Sequence, residues 1–348
     1  MSLTDKLKLT AIILVSLKLF SGCSSVSNSI YSDTNAHVQG KKYSPTLSYR
    51  MVESVVKRDG IKSTFTGNPE DVIIRAQNRN DRLALHPPAR FYRNFIVTET
   101  VIDNRSSFII TPKKNIRTDR VVFFLHGGGL MTNIEPFHWD IIERIIKELS
   151  IPLCVSMYPV YPEINPDVII SFVDKAFINL YETYPDAQII AIGDSSGAFL
   201  QLSYCHYLTE NNASRFPDKL IVLSPCQLIG IDEEIINEMR ALDTLDIAIS
   251  ADALDTLPYL FKIDENDLNY FNAPLYGDFS RFPPITVFIG THEVFYPLMR
   301  PFVEHVRSQN KEITLYTGRG MMHVWPYMPV ARESKHAFKI ILEIIGNN

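Results

Sequence analysis

Paired cysteines are missing from this sequence. Its four cysteines, Cys23, Cys154, Cys205 and Cys226, stand far apart with no C-x-x-C spacing, and three lie in apolar stretches typical of buried thiols. That pattern excludes a disulfide framework. Long runs of one charge sign are missing too: 34 basic side chains against 39 acidic ones leave a dispersed net charge of −5, which gives no purchase for nucleic acid. There is no H-E-x-x-H or comparable ligand cluster, so neither a metal nor a cofactor is expected, and there are no internal repeats. What the chain does have is apolar material, 46% hydrophobic residues against 21% charged, enough for one large core.

No apolar run reaches the ~20 residues that a membrane-spanning helix needs. At the N-terminus, Lys6 and Lys8 precede an apolar run over 9–20, which would rise only about 18 Å as a helix, so residues 1–22 read as an export signal or anchor rather than a span. The tetrad Phe20, Ser21, Gly22, Cys23 resembles a bacterial lipoprotein cleavage box, which implies lipidation of Cys23 and membrane attachment through the N-terminus. An uncleaved anchor and simple secretion stay open beside it. Residues 23–44 are rich in Ser and Asn without apolar periodicity and read as a tether.

From residue 45 to 88 two helix-like stretches, 49–57 and 70–79, carry too few apolar positions for a core of their own, and an N-terminal cap region on a larger domain is expected. The domain itself is expected over 89–348. Strand-like segments at 95–101, 107–111 and 121–125 lead into an alternation of helix 141–149, strand 153–157, helix 166–184, strand 188–192, helix 196–208 and strand 219–223. Asn165 and Pro166 mark the start of one of these helices as N-cap and first helical residue. Strand 285–289, helix 298–309 and strand 313–316 complete the series. Such alternation predicts an α/β architecture with a mostly parallel central sheet and helices on both faces. The interval 230–272 breaks the rhythm with short helical runs and reads as a cap insertion over the C-terminal edge of the sheet.

Two motifs carry chemistry. Gly193, Asp194, Ser195, Ser196 and Gly197 spell G-x-S-x-G between a strand and a helix, where flanking glycines permit a strained turn that presents the serine hydroxyl above the sheet. His126, Gly127, Gly128 and Gly129 follow another strand, and consecutive glycines leave backbone N–H groups uncovered for a developing oxyanion.

Together these motifs resemble the HGGG and GDSAG motifs of the hormone-sensitive-lipase-like branch of the α/β-hydrolases, over roughly residues 90–345. The resemblance implies an α/β-hydrolase fold with a helical cap and a serine carboxylesterase acting on a small-molecule ester of short to medium acyl chain. It implies Ser195 as nucleophile, Glu293 just beyond strand 285–289 as acid, and His323 in the loop after the last strand as base. It further implies oxyanion donors at Gly128, Gly129 and Ser196, with His126 structural. An amidase, formamidase or lipase on the same scaffold, and a non-catalytic ligand-binding relative, stay open. Oligomeric state leaves no trace in the sequence.

Overall fold

A computed structural model describes residues 30–33, 45–264, 266–328 and 330–347. The segment 1–22, Cys23 and all of the tether except 30–33 lie outside the described residues. Among the described residues no helix is long and apolar enough to cross a membrane.

Among the described residues nine strands form one sheet: β1 (Ile30–Asp33), β2 (Phe95–Ile102), β3 (Arg105–Pro112), β4 (Arg120–Leu125), β5 (Leu153–Ser156), β6 (Gln188–Asp194), β7 (Lys219–Leu223), β8 (Ile285–Gly290) and β9 (Ile313–Gly318). Their order is β1-β9-β8-β7-β6-β4-β5-β3-β2. The block from β9 to β5 is parallel; β1 and β3 join its two edges antiparallel, and β2 pairs antiparallel with β3. Strands buried on both faces need apolar residues at every position, and β4, Arg-Val-Val-Phe-Phe-Leu, is buried throughout. Its side chains alternate between two cores: Val121, Phe123 and Leu125 enter one, Val122 and Phe124 the other. In β6, Ile189 and Ala191 join the first core, Ile190 and Ile192 the second.

The helices are α1 (Leu47–Asp59), α2 (Pro69–Asn80), α3 (Ala89–Asn94), α4 (Pro136–Leu149), α5 (Pro166–Thr183), α6 (Ser196–Glu210), α7 (Glu233–Ala241), α8 (Ala253–Phe261), α9 (Met299–Ser308) and α10 (Arg332–Gly346). Helices α5, α6 and α9 fill the first core, and α1, α3, α4 and α10 the second. Helix α6 is buried nearly all round, as its scarcity of charge requires. As the sequence indicates, Asn165 caps α5 through its side-chain oxygen and Pro166 opens it.

Strand β1 falls within the segment read as a tether and pairs antiparallel with β9, and α3 is a further helix ahead of β2; two other helices also depart from the sequence reading. Helix α4 begins at Pro136, ahead of the expected residue 141, because Glu135 and His138 cap its first turn reciprocally: the Glu135 N–H donates to His138 Nδ1 at 3.0 Å. Helix α10 is an additional layer on the second core, anchored by Ala337, Phe338 and Ile341.

In the segment 45–88, Phe65, Val72 and Ala76 pack into the first core and Tyr49 and Val52 into the second. In the segment 230–272, α8 packs against α2. Parallel register aligns the C-terminal ends of β4, β6, β7, β8 and β9, with Leu125 opposite Gly193, Asp194 opposite Leu223 and Gly290 opposite Gly318. The loops leaving those ends therefore meet at one edge of the sheet.

Candidate active site

Ser195 sits at the tip of the turn from β6 into α6, with φ 52° and ψ −121°, a conformation that non-glycine residues adopt only under constraint. Its N–H donates to the Leu223 carbonyl at 2.8 Å, which fixes the turn against β7. A close approach makes the glycine after it obligatory: a Cβ on Gly197 would stand 2.6 Å from the His126 carbonyl oxygen. Without that contact the helix could not start directly beneath the loop that follows β4.

That loop is held from two sides. The Gly127 N–H donates to Asp194 Oδ1 at 3.2 Å, and Asp194 Oδ2 accepts the Nε2–H of His138 at 3.1 Å. From α2, the Asn80 amide donates to the Met131 carbonyl at 2.9 Å and accepts the Asn133 N–H at 2.8 Å. Arg79, beside it, pairs with Glu135 and Asp59. Gly129 has φ 63°, and the Phe65 ring occupies the space a side chain there would need. Among the described residues no acceptor bonds the N–H groups of Gly128, Gly129 or Ser196. Three free backbone donors next to a hydroxyl can stabilise negative charge on an oxygen bound there. His126 is buried, stacks on Tyr158 at 4.4 Å, and its carbonyl accepts the Tyr158 hydroxyl. Burial and the neighbouring His138 lower its imidazole to about 4, so it stands neutral.

Glu293 and His323 are brought together as the sequence indicates. Glu293 is fully buried, and its Oε2 lies 3.0 Å from His323 Nδ1. Its Oε1 accepts the Ser224 hydroxyl at 3.0 Å and the Gly290 N–H. Ser224 Oγ in turn accepts the Val324 N–H at 2.9 Å, and the Tyr49 hydroxyl accepts the Met322 N–H, so the residues on both sides of His323 are tied down. His323 Nε2 is buried and has no hydrogen-bond partner among the described residues, and the ring packs edge-on to Phe295 at 5.7 Å. Burial raises the Glu293 carboxyl above its ordinary value, against the pull of the His323 hydrogen bond. Burial also works against the His323 imidazolium, but the Glu293 hydrogen bond and the negative charges of Glu293, Asp246 and Asp194 outweigh it and raise the group above its ordinary value.

Ser195, Gly129 and Phe295 line one small cavity with Phe65, Cys226, Leu228, Ile249, Leu254 and Leu257, about 20 Å³ in volume. Beyond it lies an open groove of about 1100 Å³ between the chain after β7 and helices α7 and α8, and Leu228 and Leu254 line both spaces. Burial pushes the Cys226 thiol up to about 12, so it offers no thiolate beside Ser195. Cys154 and Cys205 are likewise buried and unpaired. Among the described residues no group of three or more His, Cys, Asp or Glu is placed to hold a metal ion.

All the candidate residues within the described chain thus gather at the C-terminal edge of the sheet. Sequence reasoning missed Ser224, Asp246, His138, Asn80 and Tyr49. Only Ser224 carried a local signal, as a polar residue at the immediate end of an apolar strand.

A fold of this topology with these loops defines an α/β hydrolase. The model of the α/β-hydrolase fold family matches residues 122–327, more than half of the chain, and the chain belongs to that family. It is 22% identical over 227 residues to an acetyl-hydrolase of Streptomyces hygroscopicus, covering 64% of this chain and 73% of that one. It is 24% identical over 210 residues to an esterase of Acinetobacter venetianus, covering 59% and 68%. Among solved structures, an esterase from the bacterial hormone-sensitive lipase family superposes with a TM-score of 0.71 at 20% identity, covering 87% of this chain and 99% of that one. A hormone-sensitive lipase from a metagenome library gives 0.67 at 19%, covering 85% and 97%.

Proposed function

We propose that this protein hydrolyses carboxylic esters of small molecules by acyl transfer through Ser195. The observation that carries this reading is the His323–Glu293 hydrogen bond at 3.0 Å with His323 Nε2 left without a partner, while Phe295, which packs on the His323 ring, lines the same cavity as Ser195. The names of the acetyl-hydrolase and esterase relatives support the same class of substrate.

In the proposed cycle His323 Nε2 takes the Ser195 hydroxyl proton as Oγ attacks the ester carbonyl. The tetrahedral oxyanion is held by the N–H groups of Gly128, Gly129 and Ser196, each such donor being worth about 3 kcal/mol in the transition state. Collapse returns the proton from His323 to the leaving alcohol and leaves an acyl group on Ser195 Oγ. A water that gives its proton to the same imidazole releases the acid and restores the serine. Glu293 holds the imidazole with Nδ1 protonated and stabilises the imidazolium.

The small cavity beside Ser195 supports a short acyl group, and segments 45–88 and 230–272, which supply Phe65, Ile249, Leu254 and Leu257 to its walls, act as the cap. Hydrolysis of p-nitrophenyl acetate tests this reading. The wild type turns it over, and Ser195→Ala reduces turnover by at least about 10³-fold with the fold retained. Comparable turnover by the two proteins would exclude Ser195 as nucleophile.

A further inference from the structure

Asp246 belongs to no motif and lies between α7 and α8, yet its carboxylate is almost completely buried. Its Oδ2 accepts the Val294 N–H at 2.9 Å, and its Oδ1 accepts the Ala248 N–H at 2.9 Å and the Ile249 N–H at 3.0 Å. The main-chain carbonyl of the same residue accepts Lys62 Nζ at 2.9 Å. Lys62 pairs its charge with Asp243 at 3.1 Å, and no cation pairs with the Asp246 carboxylate among the described residues.

Two of these amides, those of Val294 and Ile249, touch the site at one remove. Val294 directly follows Glu293 and precedes Phe295, which packs on the His323 ring. Ile249 and Phe295 both line the Ser195 cavity. From these contacts we propose that Asp246 is a positioning residue for acyl transfer: one carboxylate fixes the Glu293 loop against His323 and sets the distance between the Ile249 and Phe295 walls. The inference rests on the ester-hydrolase reading above.

An aspartate is costly for this purpose. A buried carboxylate without a cation pays a large desolvation penalty, and here it stands near a second carboxylate, Glu293. A turn needs no such group, because a neutral Ser or Asn caps local N–H donors as well. What a neutral residue lacks is acceptor-only capacity for three donors reaching it from two segments; the NH₂ of an asparagine would point donor against donor. It also lacks negative charge, which reaches His323 together with that of Glu293 and Asp194 and favours the imidazolium formed when Ser195 is deprotonated.

The test is the pH profile of p-nitrophenyl acetate hydrolysis by the full chain carrying Asp246→Asn, with the thermal midpoint measured alongside. We expect kcat to fall about tenfold or more, a change larger than that in KM. We also expect the acidic limb of the kcat profile to move to lower pH by about half a unit. A purely structural role would lower the thermal midpoint while leaving the limb in place; an unmoved limb with kcat within twofold of the wild type overturns the proposal. Should Asp246→Asn not fold, Lys62→Met releases the same segment from outside: a fall of about threefold or more in kcat/KM supports the proposal, and wild-type kinetics overturn it. Inactivity of the wild type itself would strike the ester-hydrolase reading, which separates the two failures.

Discussion

The Ser224 hydroxyl donates to Glu293 Oε1 at 3.0 Å and accepts the Val324 N–H at 2.9 Å, so a single oxygen spans the acid and the residue after the base. Ser224 directly follows β7, pinned by its own N–H to the Phe288 carbonyl at 2.7 Å. The alignment of Glu293 with His323 is thereby referred to the sheet rather than to two loops.

Replacing Ser224 by alanine therefore leaves Glu293 one donor short and frees the Val324 N–H, both in buried surroundings. Losses of this kind cost about 1–3 kcal/mol each when the partner stays unsatisfied, and kcat for an ester should fall about tenfold with KM little changed. Steady-state kinetics of Ser224→Ala check this, and an unaltered kcat would show that the loops hold their own alignment.

Glu293→Gln removes the charge that raises His323 but leaves the burial that lowers it. Only neutral His323 can accept the Ser195 proton, so wild-type activity should fall as pH drops through a value above the ordinary ~6.5 of histidine. In Glu293→Gln the same limb should move to lower pH, and the plateau kcat should drop by roughly 10²- to 10⁴-fold. A limb that stays in place would mean that another group governs it.

Leu228 and Leu254 separate the small cavity at Ser195 from the groove of about 1100 Å³. Leu254→Ala should open one into the other and shift preference from acetyl toward octanoyl esters by about tenfold in the ratio of kcat/KM, in line with the 1–3 kcal/mol that apolar contacts of a few methylenes supply. A panel of p-nitrophenyl esters measures this. An unchanged ratio would place the acyl chain elsewhere.

Much of the sheet was legible because continuous apolar runs are local: Val121 to Leu125 and Ile189 to Ile192 state their own burial on both faces. The serine turn and the glycine loop were legible for the same reason, since Gly197 and Gly129 answer to contacts that leave no room for a side chain. The supporting residues were not legible. His138 reads as a surface histidine until Asp194 is brought to it from 56 positions away, and Asp246 as a solvated acid until Val294 is brought from 48. Asn80 reaches Met131 and Asn133 across 51 and 53 positions and Tyr49 reaches Met322 across 273, separations at which neither periodicity nor spacing carries information.

The most direct test of acyl transfer at Ser195 is the site of covalent capture by a fluorophosphonate. Mass spectrometry of the labelled, digested wild type should place one phosphonyl adduct on the peptide containing Ser195, with Ser195→Ala unlabelled and His323→Ala labelled far more slowly. Equal labelling of Ser195→Ala, or an adduct on a different residue, would contradict the account.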